Sequence, residues 1–241
     1  MTNPNIEQFE IQKLVPLEIG GMNVSFTNSA LFMVISVILI TAFLTLSVRG
    51  RALVPGRWQS LAEVFYEFVA NMIRDNVGTE GRKYFPFVFS LFMFVLFGNM
   101  LGMIPYAFTY TSHIIVTFGL AAVVFIGVTI IGFARHGTHY LRMFFPHGAP
   151  LATAIILVPI ELISYLSRPF SLGVRLFANM TVGHIILKVM GGFVVALGVF
   201  GIVPMAFLGG VTVLEFGIAL LQAYVFTILT CIYLHDAIHM H

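Results

Sequence analysis

Three ionisable residues, Arg175, His184 and Glu215, stand inside stretches that otherwise carry almost no charge, with Glu161, Arg168 and Lys188 nearby in the same apolar surroundings. An arginine at the centre of a bilayer costs roughly 3 kcal/mol on insertion scales and about 10 or more in simulations of isolated helices, so such a residue needs compensation and marks a functional path. Arginine supplies a permanent cation. An imidazole and a carboxylate within reach of each other can pass a proton near neutral pH. The chemistry this set suggests is movement of an ion or proton, not bond cleavage.

Spacing sorts these residues onto faces. Glu161, Arg168 and Arg175 are seven apart, so a helix would line them up, although Pro169 removes a backbone donor and can bend it. Ser171, Arg175 and Asn179 repeat at i, i+4 and i+8 as a polar stripe. His184 follows Arg175 by nine residues and points about half a turn away. Lys188, four residues on, suits snorkelling towards an interface. Glu215 and Gln222, seven apart, make a second stripe able to face the first across a helical hairpin. Plainer readings stand beside these. Arg175 could be the buried partner of Glu161, His184 a hydrogen-bonded core histidine, Arg168 and Lys188 interface anchors, and Asn179 and Gln222 helix-to-helix glue.

No cofactor or metal is implied. His136, His139, His147 and the tail histidines lack carboxylate or cysteine support and read as solvated residues. Cys231 is the only cysteine, which excludes an internal disulfide and a cysteine-held cluster. His184 is the only histidine deep in an apolar stretch, which argues against a bis-histidine haem.

The elements that must position these groups follow from composition. The 241 residues are 59% hydrophobic and only 9% charged, with a mean hydropathy of +0.99. A soluble fold could not cover so much apolar surface, whereas a bilayer need not have it covered. The net charge of +2 is too small and too dispersed for a nucleic-acid surface. The expected fold is an all-α polytopic membrane protein of one domain, 1–241.

A helix needs about 20 apolar residues to cross a hydrocarbon layer roughly 30 Å thick. Residues 26–48, 84–108 and 112–134 meet that requirement. Between the first two, residues 58–77 place Trp58, Leu61, Ala62, Phe65, Phe68, Val69, Met72 and Ile73 on one face, opposite Glu63, Glu67, Asn71 and Arg74. This pattern predicts an amphipathic helix lying at the interface, though one docked on a soluble partner would look the same. Residues 149–194 are too long for one upright span, so they fold either into two short spans or into one strongly tilted helix. Residues 203–234 form the last apolar stretch. The polar, acidic N-terminus lacks a basic leader, so no cleaved signal peptide is read.

Arg49, Arg51, Arg57, Arg74, Arg82 and Lys83 cluster in one loop, and Arg135 and Arg142 in another. The excess of Lys and Arg predicts that these loops are cytoplasmic. With five passages, the N-terminus is then expected outside and the C-terminus inside. A secondary transporter would also place Arg and Glu at mid-membrane, but no inverted repeat is visible.

The segment Ser171-Leu-Gly-Val-Arg-Leu-Phe-Ala-Asn-Met180 resembles the signature of the ATP synthase subunit a family, with Arg175 at the position of its essential arginine. Glu161 lies 14 residues before that arginine, as in the family. Phe97-Gly-Asn-Met-Leu-Gly-Met-Ile-Pro105 and Leu221-Gln-Ala-Tyr-Val-Phe-Thr-Ile-Leu-Thr230 are similar to an earlier and the last helix of the family. The likeness covers most of the chain from Tyr84 onward. Many bacterial members carry an acid where His184 stands and a histidine where Glu215 stands. The exchanged order here resembles mitochondrial and alphaproteobacterial members.

The resemblance implies a long tilted C-terminal hairpin packed on a ring of c subunits, and a proton-channel stator of an F-type ATP synthase. Its partners would be the c-ring, the subunit b stalk and the rest of the F1F0 complex, in a bacterial inner membrane. Arg175 would separate two half-channels. Asn99, Glu215 and His184 are expected on the outer path, with Glu161 and Asn179 towards the cytoplasmic exit, and Ser171 and Gln222 also in the pathway.

Overall fold

The computed structural model describes residues 12–16, 18–19, 22–23, 25–49, 55–104, 107–144 and 151–239. Two small antiparallel pairings come first, which the hydropathy reading did not foresee. β1 (Lys13–Val15) pairs with β4 (Phe26–Thr27), and β2 (Glu18–Ile19) with β3 (Met22–Asn23). Phe26 and Thr27, expected inside the first span, therefore lie in a strand. α1 (Asn28–Val48) begins at the Thr27 N-cap, whose side chain accepts from the Ala30 amide. That hydroxyl satisfies one of the orphan donors of the first turn.

α2 (Arg57–Asn76) is the amphipathic helix. Ala62, Val69, Met72 and Ile73 of its apolar stripe are buried, and Phe65 and Phe68 pack on Phe92 of the next helix at 6.1 and 5.7 Å between ring centroids. Trp58, at the edge of the stripe, stays exposed. The stripe's centre thus seals against the chain's own bundle, and its flank remains open.

A 3-10 segment (Thr79–Tyr84) leads into α3 (Phe85–Gly102). This helix stops well before residue 108, the expected end. Ile104 precedes a proline in the sequence, and that position disfavours the helical conformation. A second 3-10 turn (Tyr110–Ser112) precedes α4 (Ile114–His136). Tyr110 is fully buried and donates to the Phe94 carbonyl at 3.3 Å. Its phenol fills the space where a β-carbon of Gly98 would lie.

α5 (Leu151–Ala196) is one continuous helix of 46 residues despite Pro159 and Pro169, which resolves the alternative of two short spans. α6 (Ile202–Ile238) has 37 residues. At 1.5 Å per residue these reach about 69 and 55 Å, so neither can stand upright in a hydrocarbon layer about 30 Å thick. Gly198, with a φ of 55°, turns the chain between them, and Gly201 sits against the Val194 carbonyl where a side chain would collide.

Among the described residues, five helices are long and apolar enough to cross a membrane. α3 packs on α6, and α4 on both α5 and α6. An ion pair between Arg135, at the end of α4, and Glu80, just before α3, places those two helix ends together. His136 meets the Ile238 carbonyl at 3.1 Å, so α6 finishes there too. The basic loops therefore gather at one end of the bundle. The strands, the Tyr110 turn and the α5–α6 turn lie at the other.

Candidate functional site in the helical hairpin

α5 divides its sides sharply. Leu172, Gly173, Leu176, Met180 and His184, spaced mostly by four, face the bundle. Gly173 lets α5 come close to α4: a β-carbon there would lie 3.2 Å from Phe118 Cα and 3.3 Å from the Thr117 carbonyl. Arg175 is on the opposite side, exposed together with Ser171 and Glu161. Its guanidinium makes no hydrogen bond or ion pair among the described residues. The 14-residue separation from Glu161 spans about 21 Å of helix, so the structural bridge between them is not formed. Exposed Phe170, Leu166 and Val182 of α5 and Leu214 and Leu221 of α6 surround the outer face with apolar side chains.

Across the hairpin the second stripe does meet the first. Asn179 donates to the Gln222 side-chain oxygen at 2.5 Å. Gln222 is 1% exposed, and its own amide nitrogen has no partner among the described residues. Asn99, 0% exposed on α3, donates to the Ala219 carbonyl at 3.2 Å, leaving its side-chain oxygen unpaired. A buried donor and a buried acceptor thus go unsatisfied within one turn of α6, which is where a water would be stabilised.

His184 and Glu215 line the same cavity of about 210 Å³, together with Asn179, Gly183 and Met103. They are not bonded to each other. His184 Nε2 lies 3.1 Å from the Thr109 hydroxyl, and neither Glu215 oxygen has a hydrogen-bond partner among the described residues, although the residue is only 6% exposed. The expected pair is therefore a shared chamber rather than a contact. Asn179, expected with Glu161 towards the exit, belongs to this chamber because its stripe curls from the outer face into the hairpin. Thr109 and Gly183 were not singled out by sequence reasoning. The only signal for Thr109 is a run of hydroxyl residues, Thr109 to Ser112, between two apolar spans.

Nearer the basic end, Arg168 is no simple interface anchor. It pairs with Asp236 at 2.9 Å and lies 5.7 and 5.2 Å from the centroids of the Tyr165 and Tyr233 rings. Tyr165 in turn meets Thr129 at 2.6 Å and Tyr140 at 3.2 Å. This cluster ties α4, α5 and α6 together.

The fold and the site define a class: a polytopic helical membrane protein whose last two helices carry a buried polar seam and an outward-facing arginine. Residues 30–235 match the family described as ATP synthase A chain. The chain is 78% identical over 248 aligned positions to ATP synthase subunit a of Paramagnetospirillum magneticum, covering all of both chains. It is 69% identical over 237 positions to that of Rhodospirillum rubrum, with 98% of each covered, and 54% identical over 242 positions to that of Pelagibacter ubique. The chain belongs to the ATP synthase A chain family, and is a component of the F-type ATP synthase.

Proposed function

We propose that the hairpin provides two offset half-channels beside a ring of c subunits, with Arg175 presented between them. The observation that carries this reading is the division of α5, with a charged guanidinium on the exposed face and a polar chamber on the face turned inward. The outer half would run from the Thr109 hydroxyl through His184 and Glu215 to the seam of Asn99, Asn179 and Gln222. Glu161, exposed near the basic end, would serve the other half, and Ser171 would flank Arg175.

A proton arriving in the chamber is transferred to a ring carboxylate. When the ring returns that carboxylate to Arg175, the fixed positive charge favours its ionised form and releases the proton on the other side. The same charge repels a bare cation moving directly between the halves. Ring rotation is then the low-energy route, driven by roughly 2.3 kcal/mol per charge per 100 mV of membrane potential. The gathering of Arg57, Arg74, Arg82, Lys83 and Arg135 at one end supports a cytoplasmic C-terminus and a periplasmic N-terminus in a bacterial inner membrane. The exposed flank of α2 is where the subunit b stalk would dock.

Crosslinking tests the reading. Ser171→Cys, one turn before Arg175 on the exposed face, should form a disulfide with cysteines placed on the ring helix, while the buried native Cys231 stays unreactive. No crosslink from Ser171→Cys to any ring position would remove Arg175 from the rotor interface.

A further inference from the structure

The basic end of the bundle holds a cavity that the proton path does not use. It measures about 560 Å³ and is lined by Arg74, Arg82, Asn71, Thr79 and Tyr66. α2 supplies Tyr66, Asn71 and Arg74. The chain then turns at Gly78, whose φ of 84° lies in the left-handed region, and this returns Thr79 and Arg82 to the same cup. None of the lining residues is a carboxylate. Among the acids nearby, Asp75 meets Arg74 only at 3.8 Å, with side chains 68% and 74% exposed, so solvent screens the pair. Glu80 is engaged by Arg135. Glu67 sits two turns before Arg74 on the exposed side of α2.

Two guanidiniums, an amide and two hydroxyls border this cup, whose described lining holds no carboxylate and whose neighbouring Asp75 is a solvent-screened partner of Arg74, and such a lining fits a phosphate-type anion. The position narrows the source. The second membrane segment starts at Thr79, so the cup lies where hydrocarbon gives way to headgroups. Its wall is aromatic: Tyr66 and Phe85 are 4.6 Å apart between ring centroids, and Phe85 and Phe89 are 5.3 Å apart. One turn further along α3, Phe89 and Ser90 border an apolar groove of about 450 Å³ that runs between α1 and α3 past Ile40, Leu44 and Met93. A basic cup at the boundary, with an apolar groove one turn further along α3 within the span, matches an amphiphile with an anionic head and a long chain.

We infer that the cup and groove hold one anionic phospholipid, its phosphodiester between Arg74 and Arg82 and an acyl chain along Phe89 and Met93. A free phosphate would use the cup and ignore the groove.

The test uses the intact ATP synthase, delipidated and then equilibrated with vesicles of phosphatidylglycerol and phosphatidylcholine. Retained lipid per complex is counted by mass spectrometry. Arg74→Gln and Arg82→Gln should each lower phosphatidylglycerol retention at this site roughly fivefold, and together about thirtyfold. Arg57→Gln, an exposed residue at the same end but outside the cup, should change nothing. Ser90→Trp should lower retention with both arginines intact, because it fills the groove. Unchanged retention in the double arginine variant overturns the site, as does an equal loss from Arg57→Gln. Displacement by inorganic phosphate with no effect of Ser90→Trp would make the cup a free-anion site and overturn the lipid.

Discussion

The carboxylate of Glu215 on α6 lies against the Cα of Gly183 on α5, in the volume that a β-carbon at residue 183 would need. Only glycine leaves Glu215 its place in the chamber beside His184. Gly183→Ala should swing the flexible carboxylate aside at little cost in stability and slow ATP-driven proton uptake in vesicles by roughly tenfold. Gly191→Ala, where a β-carbon meets nothing within 4 Å, should leave uptake unchanged. Equal effects from both would show that Glu215 does not depend on this contact.

Arg175→Ala should abolish coupled ATP synthesis while the complex still assembles, because the side chain makes no hydrogen bond or ion pair among the described residues. Normal ATP-driven proton pumping by this variant would refute the role proposed for the guanidinium. Arg175→Lys keeps the charge but not the planar fork, so intermediate activity would point to charge, and no activity to geometry.

His184 and Glu215 share a chamber without touching, so their order along the chain should matter little. The double exchange His184→Glu with Glu215→His should pump protons better than either single change. Losses that simply add in the double variant would mean that the two act independently.

Burial beside the Tyr110–Ser112 turn lowers the pKa of His113 from its ordinary value near 6.5. Its ring stacks on Phe108 at 4.9 Å, and its Nε2 is buried without a partner. The unfolded chain therefore binds the proton first as pH falls, so stability is unaffected above about pH 6.5 and decreases below it, down to the folded pKa. Thermal melts at about pH 5 and pH 8 should differ less for His113→Phe than for the natural chain. An unchanged difference would place the acid sensitivity elsewhere.

Tyr110 locks the same turn. Gly98→Ala should destabilise the protein by about 1–3 kcal/mol through overlap with the phenol. Tyr110→Phe, which keeps the ring and removes the hydroxyl with its bonds to the Phe94 carbonyl and to Ser36, should cost nearer 1 kcal/mol. A melting temperature unmoved by Gly98→Ala would contradict the close approach.

Periodicity and hydropathy made the frame of this protein legible. The helices lie near the apolar stretches that hydropathy marked, although Phe26 and Thr27 pair as a strand and α3 stops at Gly102. Charge inside apolar sequence exposed Arg175, His184 and Glu215, because few other residues there are expensive to bury. What sequence could not show were relationships set by the crossing of helices. Arg168 finds Asp236 across 68 positions, Thr109 reaches His184 from a loop, and Asn179 turns inward although its neighbour Arg175 faces out. Spacing along one helix fixes directions, but the partner met in that direction depends on where α5 and α6 cross.

The outward guanidinium also bears on how the complex is built. A chain inserted alone would present Arg175 to acyl tails at a cost of roughly 3 kcal/mol or more. On the reading proposed above, a ring carboxylate facing Arg175 in the assembled complex would offset that cost, so the exposed guanidinium would tie the stability of the inserted chain to its assembly.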